Sequence, residues 1–246
     1  MHIYRGTIEL LDYVFYATAE RGKVYETGAF IHNYALAYAL GLVRASTYTY
    51  AWRKQEPHYL EELTPLNGRL YITPGSPRRI AHRLVQWNTI REGYAFPGKL
   101  PSVGYPDWGF ARVLRPGCQF TFYLLVPDLD ALPPAPALHD LVSGKTARVR
   151  LGKFPGKARL RLEAAEAVRK REGPFQVDTL LNWRDLEADP VVCDVVAMSL
   201  PTRLLAHARF GGGPYYEARF REVTVRLPAR MRFLARPPTK RRRRAR

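Results

Sequence analysis

The chain has 246 residues, 46% apolar and 12% aromatic, enough for a sizeable core in one large domain or two small ones. Thirty-nine Lys and Arg against 22 Asp and Glu leave a formal charge of +17. Two cysteines, Cys118 and Cys193, exclude a disulfide framework and fall short of a zinc site, so each is expected to pack as a small hydrophobe. The start of the chain lacks the basic-then-apolar pattern of an export signal, and no run approaches the about 20 apolar residues that cross a bilayer. A reducing cytoplasm, with no membrane contact, is the expected setting.

The charge lies in blocks. Residues 69–115, 145–171, 201–236 and 237–246 carry net charges of +6, +8, +6 and +6, separated by acidic stretches at 116–144 and 172–200. Solubility alone favours interspersed charges, so such blocks point to a polyanion, and among polyanions to nucleic acid. The Arg-rich tail 237–246, PPTKRRRRAR, reads as a flexible electrostatic arm.

Taken in order, residues 2–11 alternate as a half-buried strand, with Tyr4, Gly6, Ile8 and Leu10 on one face. Thr27–Leu42, TGAFIHNYALAYALGL, is Ala- and Leu-rich and apolar on every side. It predicts an enclosed helix capped by the Thr27 hydroxyl, with His32 and Asn33 near its first turn. Strand, short loop and buried helix begin either a ferredoxin-like or a Rossmann unit; residues 17–28 lack the phosphate-binding glycine pattern of the latter. Glu56–Leu63 predicts a short helix and Arg69–Thr73 a strand. Ile80–Ile90 is compatible with strand or helix.

The region 78–112, broken after Ile90 by glycines and prolines, mixes Trp87, Tyr94, Phe96, Tyr105, Trp108 and Phe110 with Arg91, Lys99 and Arg112. Rings that stack on bases beside cations that hold phosphates suit nucleic-acid gripping, and Trp87, Arg91, Tyr94, Lys99 and Trp108 are its candidate contacts. The plainer alternative is a long loop pinned by its own aromatics. Cys118–Val126 predicts a central strand, and the Pro-rich Pro127–Leu138 a surface connector.

The sharpest local pattern is ARVRLG (147–152), a turn at Lys153–Gly156, and KARLRL (157–162). In strand conformation it sets Arg148 and Arg150, then Lys157, Arg159 and Arg161, on one face with Val149, Leu151, Leu160 and Leu162 behind. A face of cations at about 147–162 reads as a phosphate platform. The GKFPGK turn has three residues between its glycines where a nucleotide-binding P-loop has four, and Ala158 where that loop has Ser or Thr. Its glycine amides and Lys153 instead suit contact with an RNA backbone. Val191–Met198 and Phe220–Leu227 predict further strands around a Gly211–Gly213 turn.

Catalytic signals are thin. The six histidines form no HxxxH or HxH pair, the carboxylates avoid the basic blocks, and no cofactor or metal site is expected. A metal-independent ribonuclease needs a base, an acid and a cation, which His32, Tyr34 and Lys153 could supply; on a buried helix such residues are more often structural. Non-specific duplex DNA binding is the remaining alternative.

The segments IYRGTIELLDYVFYAT, GKVYETGAFIHNYALAYALGL, VRLGKFPGKARL and LPARMRFL resemble the type I-D branch of the CRISPR Cas-five proteins, up to about Leu234. The resemblance implies an α+β, ferredoxin-like (RNA-recognition-motif-like) antiparallel sheet with packed helices, forming a single domain over 1–236. It implies a β-hairpin thumb inserted at about 69–115. It also implies a non-catalytic subunit of a Cascade complex that holds the 5′ handle of the guide RNA in antiviral defence. Implied partners are a Cas-seven-type backbone subunit, a large Cas-ten-type subunit and target DNA near its flanking motif. A relative branch cuts precursor RNA with this subunit, whereas type I-D systems are expected to use a separate enzyme. Arg148, Arg150, Lys153, Lys157, Arg159 and Arg161 then become handle-binding candidates, with His32 and Asn33 where the helix could meet the RNA.

Overall fold

The computed structural model of the chain describes residues 1–21, 24–43, 58–89, 107–153, 156–197 and 201–236, with the side chains of 87–89 and 107–108 outside that description. Its N-terminal part runs β1 (His2–Leu10), β2 (Ala19–Arg21), β3 (Val24–Glu26), α1 (Asn33–Ala39), α2 (Tyr59–Leu63), β4 (Tyr71–Ile72) and β5 (Ser76–Arg79). The middle adds β6 (His82–Thr89), β7 (Asp107–Leu114), β8 (Gln119–Val126), α3 (Pro136–Val142), β9 (Ala147–Leu151) and β10 (Gly156–Ala164). The last part holds β11 (Ala167–Glu172), β12 (Phe175–Val177), β13 (Leu181–Asn182), β14 (Val192–Ala197), β15 (Leu204–Phe210), β16 (Pro214–Arg219) and β17 (Thr224–Pro228). The fold is α+β: mostly antiparallel sheets with a few short helices.

The principal sheet has the order β4-β8-β1-β10-β9, with β5 also pairing β8, and every pair is antiparallel. The predicted alternation of β1 holds: Tyr4, Gly6, Ile8 and Leu10 are buried, and Gly6, Ile8 and Leu10 register against Phe122, Phe120 and the Cys118 carbonyl. Gly6 is required there, since a Cβ would stand 2.2 Å from the Phe122 ring. β8, bonded on both sides, is the central strand its continuous apolar run predicts. Helices α1 and α3 pack behind β9, and α3 also behind β10, closing the main core.

Smaller sheets surround this one. β2-β3-β7-β6 contains one parallel pair, β3 with β7; β11-β16-β17 and β12-β15-β13, with β14 on β15, form the C-terminal part. Tyr123 on the principal sheet meets Phe220 with ring centroids 6.0 Å apart, so the C-terminal part covers one end of that sheet's front face. Cys118 is buried, as expected, with its Sγ bonded to the backbone of Ala81, and Cys193 is partly exposed.

Three expectations are corrected. The helix starts at Asn33, six residues after Thr27, because Ile31 and Gly75 exchange both backbone hydrogen bonds and the Thr27 N–H donates to the Arg112 carbonyl. Chain committed to strand-like pairing cannot also wind, and His32, extended at φ −66°, ψ 139°, is the cap. Residues 71–79 pair in the principal sheet and β6 pairs with β7 from His82 to Leu114, so the stretch 69–115 is divided between two sheets. The Pro127–Leu138 connector ends in α3, where Pro136 stands in the first turn, a position that needs no N–H partner. The strand predicted at Val191–Met198 is β14, an edge strand that leaves Val192, Val195 and Val196 exposed. Among the described residues no helix is long and apolar enough to cross a membrane.

Candidate nucleic-acid interface

The hairpin β9–β10 is built by burial on one side. Ala147, Val149, Leu151, Ala158 and Leu160 are buried against the helices, which turns Arg148, Arg150, Lys157, Arg159 and Arg161 to the front of the sheet. The register sets Arg148 opposite Arg159 and Arg150 opposite Lys157. Like charges directly opposite on neighbouring strands are destabilising, so the fold holds a repulsion that a bound polyanion would relieve. Between Ala147 and Arg161 the described strands carry no acidic residue. On β1, Glu9 stands opposite Arg159 and forms an ion pair with it, while Thr7 stands opposite Arg161.

The same face continues onto β8 and β5 through Thr121, Gln119 and Arg79, the last donating to the Gly117 carbonyl from Nε (3.1 Å) and Nη2 (2.9 Å). At its other end Arg5 lies 3.7 Å from Glu163 and 3.9 Å from Glu222. Cations are therefore most closely grouped at the hairpin.

The turn differs from expectation. Gly152 has φ +90°, and a Cβ on it would stand 2.8 Å from the Phe15 carbonyl oxygen; one on Gly156 would stand 2.4 Å from that of Tyr13. The Lys153 N–H donates to the Phe15 carbonyl at 2.7 Å. These glycines admit the 13–15 segment, not a phosphate, and what Lys153 offers a ligand is its exposed side chain.

His32 and Asn33 are 5% and 0% exposed, which removes them as surface contacts. They belong to a buried polar network centred on Asp185. Asp185 Oδ1 accepts from the Tyr34 hydroxyl (2.8 Å) and the Leu234 N–H (2.9 Å); Oδ2 accepts from Asn33 Nδ2 (2.7 Å) and the Tyr71 hydroxyl (3.1 Å). Asn33 Oδ1 accepts from Asn182 Nδ2, and Asn182 Oδ1 accepts from the Thr202 hydroxyl at 2.6 Å. The Thr202 hydrogen being so engaged, His32 Nε2 donates to Thr202 Oγ1 at 2.9 Å, and His32 Nδ1 accepts the Tyr34 N–H. Both ring nitrogens are occupied. Burial lowers the His32 pKa to about 3 and raises that of Asp185 to about 6, while the Tyr34 hydroxyl, pushed up by burial and by Asp185, stays protonated. A general base or acid needs a free, titrating site, and neither His32 nor Tyr34 provides one.

Of the aromatic candidates, Trp87 lies on β6 and Trp108 on β7, paired with Gly109 and Asn88 respectively. Arg91, Tyr94 and Lys99 lie outside the described residues. Among those described, no group of three His, Cys, Asp or Glu side chains could hold a metal. Sequence reasoning missed Asp185, Asn182, Thr202 and Tyr71; the two polar residues inside an apolar run were the visible half of that network.

An α+β chain with a cationic strand surface is the class that this geometry defines. The chain matches the family described as type I-D CRISPR-associated protein Cas5/Csc1 over residues 1–236, and it belongs to that family. No curated protein matches it. Among solved structures, one similar chain comes from a cryo-EM structure of the type III-B Cmr-beta complex bound to cognate target RNA and AMPPnP. It has 14% identity and a TM-score of 0.46, over 85% of this chain and 86% of that one. Another is a CRISPR protein from Archaeoglobus fulgidus, at 14% identity and a TM-score of 0.42, over 93% of this chain and all of that one (100%).

Proposed function

We propose that the chain is a non-catalytic, RNA-binding subunit of a type I-D Cascade complex that holds the 5′ handle of the guide RNA on the front of β9–β10. The observation that carries this reading is the register of Arg148 against Arg159 and Arg150 against Lys157 on a half-buried hairpin. Helix packing behind the sheet fixes the cations at strand spacing, so a phosphate backbone meets a preformed surface. The occupied nitrogens of His32 support the absence of cleavage. The order β10-β1-β8-β4, with α1 between β1 and β4 and α3 between β8 and β10, supports a ferredoxin-like sheet extended by β9. On this reading β6–β7 is the thumb. A Cas-seven-type backbone subunit, a Cas-ten-type large subunit and target DNA near its flanking motif are the further partners, and the cytoplasm is the compartment.

The test is the combined replacement Arg150→Ala, Lys153→Ala, Lys157→Ala. Handle RNA affinity should fall at least about tenfold, and the slope of log affinity on log salt should flatten by about 2, at about 0.7 per single-strand phosphate contact. The melting temperature should hold, since exposed substitutions usually change stability by less than about 0.5 kcal/mol. Unchanged affinity overturns the site. A discrete cut in labelled repeat RNA in the presence of EDTA overturns the non-catalytic role.

A further inference from the structure

A cavity of about 320 Å³ opens where the 13–18 segment, α1 and the turn of the basic hairpin meet. The rings of Tyr16, Phe30, His32, Tyr34, Tyr38 and Tyr59 line it, with Leu151 and Gly152 on the hairpin side. That volume is at the small end of ligand sites, which run from about 300 to 1,000 Å³. Among the described residues the lining includes no charged side chain. Its rings meet at inclined angles: 57° for Tyr16 and Phe30, 51° for Tyr34 and Tyr59, 62° for Tyr38 and Tyr59.

The polar atoms in the wall narrow the ligand further. The Tyr16 hydroxyl donates to the Gly28 carbonyl and the Thr18 hydroxyl to the Glu26 carbonyl, both at 2.9 Å. The Tyr34 hydrogen goes to Asp185, and both His32 nitrogens are engaged. What the three hydroxyls can still offer is acceptor lone pairs, and His32, whose single lone pair takes the Tyr34 N–H, offers none. The cavity therefore suits a neutral, planar, aromatic group with a donor on its edge. Lys153 follows Gly152 directly at the rim and is exposed, so a cation waits outside an uncharged pocket.

We infer that this cavity is a nucleobase pocket. Single-stranded RNA rounding the tip of the hairpin leaves its phosphates on the front cations and Lys153, and places one unstacked base among the rings behind. An exocyclic amino group, as on adenine and cytosine, fits its acceptors better than the carbonyl-flanked edge of uracil does. This rests on the proposal that β9–β10 binds RNA, and it adds a site on the opposite side of the turn.

The probes are the decamers rA10, rC10 and rU10, read by fluorescence anisotropy. Ala35→Trp fills the cavity from an exposed position on α1, and Tyr59→Ala removes a wall. The unmodified protein should bind rA10 and rC10 more tightly than rU10. Either variant should weaken rA10 about tenfold and erase the preference over rU10, with the salt slope unchanged, since one base stacked on aromatic rings is worth about 1–3 kcal/mol. Melting curves identify a variant that fails to fold, and the base preference of the unmodified protein is independent of both. Equal affinity for the three decamers, or variants that bind as the unmodified protein does, overturns the pocket. If the hairpin triple variant still weakens binding in that case, the RNA-binding reading stands and the pocket alone fails. Loss of a protein partner with RNA binding intact assigns the cavity to a protein side chain and equally overturns it.

Discussion

Around Asp185 each carboxylate oxygen accepts two hydrogen bonds, and the side chains that reach it are held in turn by Asn182, Thr202 and His32. On the front of β9–β10, five cations project from two strands whose one carboxylate, Glu163, lies past them at the end of β10 opposite Arg5. Both regions are polar, and both hang on the same core through α1 and β9. They follow opposite rules because one lies away from water and the other in it. A buried polar group must be satisfied within the fold, so its partners come from distant chain segments and its removal is felt throughout. An exposed cation is satisfied by water, so a cluster of them contributes little to folding and keeps its capacity for an outside partner.

The largest expected effect breaks the first side of this contrast. Asp185→Ala leaves the Tyr34 and Tyr71 hydroxyls, Asn33 Nδ2 and the Leu234 N–H without their acceptor. Unsatisfied buried groups cost about 1–3 kcal/mol each, partly recovered by relaxation, so a loss of about 3–5 kcal/mol is expected in urea unfolding. A loss below 1 kcal/mol, no more than a surface residue gives, would remove the distinction between the two regions.

The same contrast explains what was legible in the sequence. The β1 alternation, the apolar β8 run and the hairpin pattern are local signals, because a half-buried strand writes its two faces into successive residues. The cationic face could be read from residues 147–162 alone. The Asp185 network could not, since it joins residues 33, 71, 185 and 234, and an acid inside an acidic block reads as solvated charge. The start of α1 was hidden for a related reason: Ile31 pairs with Gly75, 44 residues on, and only that pairing keeps Thr27–Ile31 from winding. Residues that were singled out for the RNA, His32 and Asn33, proved to be the near end of the network.

A second test separates two opposing charges within the buried region. For Asp185, with a folded pKa of about 6 against an ordinary 3.8, the contribution is fully present below the unfolded value and is lost as pH rises through about 6. For His32, lowered to about 3 from 6.5, stability is present above the unfolded value and is lost as pH falls from 6.5 toward 3. Between about pH 4 and 6 the two trends oppose each other. His32→Gln removes one of them, so relative to the unmodified protein the variant should gain stability on acidification across that window, by at most about 1.4 kcal/mol per pH unit. Parallel pH curves would show that His32 does not stay neutral in the fold.

The smallest expected effect lies where the two rules meet, at Glu9. Its carboxylate is half-buried on β1 and pairs with Arg159, one of the five hairpin cations, so it competes with any phosphate for that guanidinium. In Glu9→Gln the amide oxygen can still accept from Arg159, and a partly exposed pair of this kind contributes at most about 1 kcal/mol, so the melting curve should barely move. The freed charge should raise handle RNA affinity a few-fold at low salt and steepen the salt slope by up to about 0.7, the value of one more phosphate contact. Both changes run opposite to those of the Arg150, Lys153 and Lys157 replacements. If Glu9→Gln instead weakens binding, Glu9 orients Arg159 for the RNA, and the face acts through fixed geometry as much as through net charge.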